Sequence, residues 1–126
     1  MVPTYEEMGD RMERVAQEFP AAFFAELNGG ILLEEDAMPD PEFPEGDMYV
    51  MGEYINDLLG RQIQLYYGSF AALLGEENEE VWKNEIFDTM AHEFTHHMED
   101  TAGLHDLDDA DAEFLRQAME VYGDKE

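Results

Sequence analysis

Residues 86–100 read IFDTMAHEFTHHMED, and the reading of this stretch decides the rest. Ile86, Met90, Phe94 and Met98 recur every four positions, which draws one apolar stripe along an α-helix. At about 100° per residue, His92 and His96 lie roughly opposite the middle of that stripe. If the stripe packs on a core, the His pair faces a cleft or solvent. The spacing has a chemical use. Two His at i and i+4 stand one above the other, so both imidazoles can reach one metal ion, with Zn2+ the expected one. Glu93 is about 100° round the helix from His92. From there it addresses a metal-bound water rather than the metal and can serve as a general base. His97 turns towards the apolar side and reads as a packed residue rather than a ligand.

Working outward, the helix is expected over residues 77–102, with a stop at Gly103, and a last helix over 108–121. Ahead of it, Gln62–Tyr67 alternates polar and apolar, as a half-buried strand does. Ser69 is expected to cap a short helix ending at Gly75. Residues 48–54 read as a strand containing Gly52, followed by a turn over 56–60. Residues 34–47 hold three prolines among acids and read as a loop. Ile31-Leu32-Leu33 reads as a short strand. Thr4 with Glu7 three residues on has the spacing of a capping box, and Met8, Met12, Val15 and Phe19 follow at helical intervals. A second helix is expected over 21–27. The order α, α, β, loop, β, β, α, α, α predicts an α+β domain over residues 1–126. It should hold a small β-sheet with helices packed around it.

A hydrolytic zinc takes three protein ligands and keeps one position open. Glu99 is three residues after His96 and shares the face of the His pair to within roughly 60°. Its side chain leans towards the N-terminus and so back towards the metal. Asp106, and then His105, are the alternatives just beyond Gly103, where the chain can turn back. Glu99 is preferred because it needs no loop to return.

Composition bounds the partners. The chain has 126 residues, 44% of them apolar, which suffices for one core. Asp and Glu number 32 against 6 Lys and Arg, a net charge of −26. A nucleic-acid binder needs a basic footprint, and an anionic membrane surface repels such a chain. Neither partner is expected; a peptide or protein is. With no Cys, thiolate metal sites and disulfides are excluded. No signal-peptide pattern opens the sequence, so a cytoplasmic monomer is the expectation. The acids, spread along the whole chain, read first as a solvated surface. Asp106–Asp111 is no calcium loop, because position 6 of the count is Asp111 rather than Gly.

Three segments together resemble the small bacterial zincin-like metallopeptidases. Met51-Gly52-Glu53-Tyr54 is similar to the family's Gly-Tyr segment. Ile63-Gln64-Leu65-Tyr66-Tyr67-Gly68 is similar to its I-x-L-Y-x-G-P strand, with Ser69 in place of the Pro. His92-Glu93-Phe94-Thr95-His96-His97 matches its H-E-x-x-H-H helix, doubled His included. Many relatives continue with a Gly three residues after the second His and an acid or His three further on. Here Glu99 stands at the Gly position, the next Gly is Gly103, and Asp106 follows it by three, one helical turn late. The resemblance implies a minimal zincin domain and zinc-dependent peptide-bond hydrolysis. It also implies an edge strand beside the long helix and its cleft, for which Gln62–Tyr67 is the candidate, with Tyr66 or Tyr67 facing substrate. The competing expectation is an acidic metal-binding or protein-interaction module that keeps this fold without hydrolysis.

Overall fold

Thr4 closes the first turn of helix α1 (Tyr5–Ala16) with the reciprocal bonds its spacing predicts. The Glu7 N–H donates to Thr4 Oγ1 at 3.1 Å, and the Thr4 N–H donates to Glu7 Oε1 at 2.9 Å. Hydrogen bonds from the Thr4 backbone and side chain to the Glu7 carboxyl hold it below its usual range. The helix then turns Met8, Met12 and Val15 into the core. The computed structural model describes residues 1–42, 48–102 and 109–123.

Beyond α1, a 3₁₀ turn at Ala21–Phe24 takes the place of the helix expected over 21–27. Strand β1 (Gly30–Glu34) follows, and then two short strands, β2 (Met38–Pro39) and β3 (Tyr49–Val50), that pair with each other. Strands β4 (Gly52–Asp57) and β5 (Gly60–Tyr66) form a hairpin. Helices α2 (Tyr67–Leu74), α3 (Glu79–Asp100) and α4 (Asp109–Gly123) complete the order. The fold is α+β, with a small mixed sheet.

The sheet order is β1-β5-β4, with β5 parallel to β1 and antiparallel to β4. The strand expected at the edge is therefore the central one. Ile63 and Leu65 of β5 are fully buried, and such a strand gains most from a neighbour on each side. The edge falls to β4, whose residues are part-buried or exposed. The hairpin turn has Asp57 at its first position, where Oδ1 accepts the Leu59 N–H at 2.9 Å. It closes at Gly60, whose φ of +116° an L side chain rarely adopts.

Two further expectations are corrected. Ser69 does not cap α2: the helix starts directly from the end of β5, and Ser69, fully buried inside it, accepts the Met38 N–H through Oγ at 2.9 Å. The single strand read over 48–54 divides, with Tyr49–Val50 pairing to β2 and β4 starting at Gly52.

Helix α3 begins at an Asn78 cap, where Oδ1 accepts the Val81 N–H at 3.0 Å. Trp82, Ile86, Met90 and Phe94 are fully buried along it. Phe94 belongs to an aromatic hub in which Phe19 stacks on Phe87 at 4.8 Å between centroids and meets Phe94 and Phe114 at 5.0 and 5.5 Å. The hub ties α4 and the segment following α1 to α3. It leaves the opposite side of α3 to meet the sheet edge. No helix among the described residues is long and apolar enough to cross a membrane.

Candidate functional site

Strand β4 approaches helix α3 closely at Gly52. A Cβ there would stand 2.8 Å from Leu65 Cδ2 and 2.9 Å from Thr89 Cγ2. Only glycine lets β4 lie this close against α3. The result is a cleft of about 730 Å³, with Gly52, Glu53, Tyr54 and Asn56 on its strand side and His92, Glu93, His96, Glu99 and Asp100 on its helix side.

His92 and His96 meet through their Nε2 atoms, 3.2 Å apart. Two nitrogens bound to one tetrahedral zinc at ~2.0–2.1 Å are separated by about 3.3 Å. The pair is thus spaced as two ligands of one ion would be. Glu99 Oε1 lies 3.6 Å from His96 Nδ1, at the other ring nitrogen from the one that meets His92, and its side chain is largely exposed. Among the described residues no group of three or more His, Cys, Asp or Glu side chains stands close enough to hold a metal ion. His105 and Asp106 lie outside the described residues.

Glu93 is 5% exposed, and burial, followed by the charge of Glu53, pushes its carboxyl up to about 7. Glu53 sits on the edge strand β4 and accepts a hydrogen bond from the Tyr66 hydroxyl at Oε1, 2.5 Å away. Burial and that bond push the Tyr66 phenol up. Tyr66 therefore reaches the site through Glu53 and does not itself line the cleft. Tyr67 goes elsewhere: its hydroxyl donates to the Pro3 carbonyl and its ring packs edge-on against Tyr5. The two tyrosines part because β5 ends between them and Tyr67 begins α2.

His97 is fully buried. Its Nε2 donates to the Ala25 carbonyl at 2.7 Å, and its Nδ1 is 3.0 Å from the Tyr54 hydroxyl. Tyr54 also donates to Asp100 Oδ2 at 2.8 Å, and the same oxygen receives Asn56 Nδ2 and Arg61 Nε, each at 2.9 Å. The bonds from Tyr54 and Arg61 hold Asp100 below the usual carboxylate range, and burial beside Asp100 pushes the Tyr54 phenol up. A carboxylate at the C-terminus of a helix opposes the helix dipole, and Arg61 offsets it. The network clamps the β4–β5 hairpin to the last turn of α3, directly below His96.

Glu53, Asn56 and Asp100 are cleft residues to which the sequence reading gave no role, and Tyr54 entered it only within the Gly-Tyr segment. Glycine within a strand pattern was the available signal, since it marks a close backbone approach. It gives no indication of which helix is approached.

No protein-family model matches the chain, and no curated protein matches it. Among solved structures, a conserved hypothetical protein from Thermo thermophilus is 35% identical to it, with a TM-score of 0.69, over 81% of this chain and 100% of that one. The chain belongs to that protein's family. The shared fold extends over the whole of the relative, whose description as hypothetical assigns no activity.

Proposed function

We propose that the chain is a zinc-dependent metallopeptidase with a minimal zincin-like domain. The observation that carries the reading is the 3.2 Å between the Nε2 atoms of His92 and His96, with the buried Glu93 beside them in the same cleft. His92 and His96 hold the ion through Nε2. The third protein ligand is Glu99 after rotation of its exposed side chain, or Asp106 returning from beyond the helix. Zinc held there supplies a Lewis acid for the substrate carbonyl and acidifies an attacking water. Glu93, buried beside the His pair, takes the water proton at its carboxylate and passes it to the leaving amine.

The edge of β4, unpaired by another strand among the described residues, favours a peptide as substrate. The Tyr66 N–H donates to the Met51 carbonyl at 3.0 Å, which sets the alternation of the hairpin ladder. In that alternation the main-chain groups of Gly52, Tyr54 and Asn56 point away from β5. All three residues line the cleft, so an extended peptide pairing with them lies across Glu93 and the His pair. In this reading the protein works in the cytoplasm as a monomer on peptides or proteins. Its charge of −26 disfavours nucleic acid and anionic membranes.

The test is zinc content by elemental analysis after gel filtration in resin-treated buffer, with cleavage of a quenched fluorescent peptide library measured alongside. About one zinc per chain is expected, lost in His96→Ala. Glu93→Gln should keep the zinc and lose cleavage by a factor on the order of 10²–10⁴. Glu99→Gln and Asp106→Asn identify the third ligand by which of them weakens zinc binding. A protein that takes up no zinc on reconstitution, or a Glu93→Gln variant that still cleaves, overturns the reading.

A second reading is an acidic metal-binding or interaction module without hydrolysis. The observation that favours it is that no three-ligand group is assembled among the described residues. Such a module shows no cleavage and no hydroxamate inhibition, with or without zinc.

A further inference from the structure

Four of the nine residues lining the cleft are carboxylates, and none is Lys or Arg. They are not equivalent. Asp100 is bound by Arg61, Glu99 extends into solvent beside His96, and Glu93 is the buried base. Glu53 differs from all three. It stands on the edge strand itself, fixed by a buried phenol. That donor is neutral, so the bond orders the carboxylate without cancelling its charge.

Its position in the strand gives this charge a defined neighbour. A peptide that pairs with Gly52, Tyr54 and Asn56 places one residue directly opposite Glu53. Directly opposed residues of adjacent strands project from the same face, with Cβ atoms ~4.5–5.5 Å apart. The side chain of that one peptide residue therefore emerges alongside the Glu53 carboxylate.

We infer that Glu53, ordered by Tyr66, is a specificity-determining residue that selects Lys or Arg at the peptide position paired with it. The inference rests on the peptidase reading for the way the peptide lies, and its test is by binding so that the two can fail separately. An opposed ion pair across strands is worth up to about fivefold in affinity. An acid at the same peptide position is disfavoured by Glu53.

The experiment uses fluorescein-labelled octapeptides of alanine and serine in which one lysine, or one norleucine of similar shape, is walked through every position. Affinity for the Glu93→Gln protein is read by fluorescence anisotropy, with zinc and without. At one position lysine should bind on the order of fivefold tighter than norleucine. Glu53→Gln should erase that difference, and Glu53→Lys should reverse it. Tyr66→Phe should reduce it, as the carboxylate loses its fixed orientation. Glu80→Gln removes an exposed acid from the first turn of α3, ~18 Å along the helix from His92, and should leave the preference in place. The inference is overturned if no peptide binds, if lysine is favoured equally at every position, or if the preference survives in Glu53→Gln. If wild-type protein cleaves peptides with no such preference, the peptidase reading stands and this inference fails. If it discriminates but never cleaves, the reverse holds.

Discussion

Along one side of α3, Ile86, Met90 and Phe94 are fully buried, whereas along the other His96 is half exposed and Glu99 largely so. The two sides share one backbone and one register. They differ in what their partners do. The stripe is enclosed by an aromatic hub that would collapse only in part if a ring were removed. The cleft side meets a sheet edge at a distance set by Gly52, and its polar groups converge without closing. Stability resides on the first side, and the candidate chemistry on the second, which includes a buried acid that works against stability.

That contrast can be broken by mutation. Phe94→Ala empties the centre of the hub and should cost about 3–5 kcal/mol in denaturant unfolding. A loss as small as that of a surface residue would mean the hub is not packed as described.

Glu93→Gln should act in the opposite direction in the metal-free protein. The Glu93 carboxyl is raised from 4.5 to about 7 on folding, so the unfolded chain ionises first as pH rises. The resulting cost is absent below about pH 4, grows from there to pH 7, and is complete above. The variant removes the cost and should be more stable at pH 8 by about 3 kcal/mol, with the difference gone at pH 4. Parallel unfolding curves at the two pH values check this, and a pH-independent difference would contradict it.

Gly52→Ala tests the boundary between the sides. Its Cβ meets Leu65 and Thr89, so β4 and α3 must move apart, at a cost of about 1–3 kcal/mol. Zinc affinity and peptide binding should fall together with stability. The smallest effect sharpens the contrast most. His96→Ala in the metal-free protein should change stability by less than ~0.5 kcal/mol, because the side chain is half exposed. Thermal melts with and without zinc should then differ for the wild type and coincide for the variant.

Much of the fold was legible because its signals are local. The T-x-x-E spacing marks the start of α1, and the bonds it predicts are present. The alternation over 62–67 marks β5 to within two residues. The i, i+4 repeat from Ile86 to Met98 separates core from cleft correctly, and His97 is buried on the side expected of it. Strand order was not legible. Pairing β5 between β1 and β4 joins segments far apart in sequence, and alternation reports which residues are half-buried but not which strand lies outermost. The surroundings of Tyr66 and Tyr67 were not legible for a related reason: the strand ends between them, and a two-residue period says nothing about where it stops.

The sequence by itself determined that His92, Glu93 and His96 share one helix, which of its faces is apolar, and that the chain carries a large negative charge. These follow from residue spacing at 3.6 per turn and from counting. Only the tertiary structure decided that β4 is the edge facing them, that Glu53 stands near enough to Glu93 to raise its carboxyl, and that Tyr54 is spent between His97 and Asp100. Those are contacts between side chains some 40 residues apart, and they exist only once the core has closed and Gly52 has let the strand approach the helix.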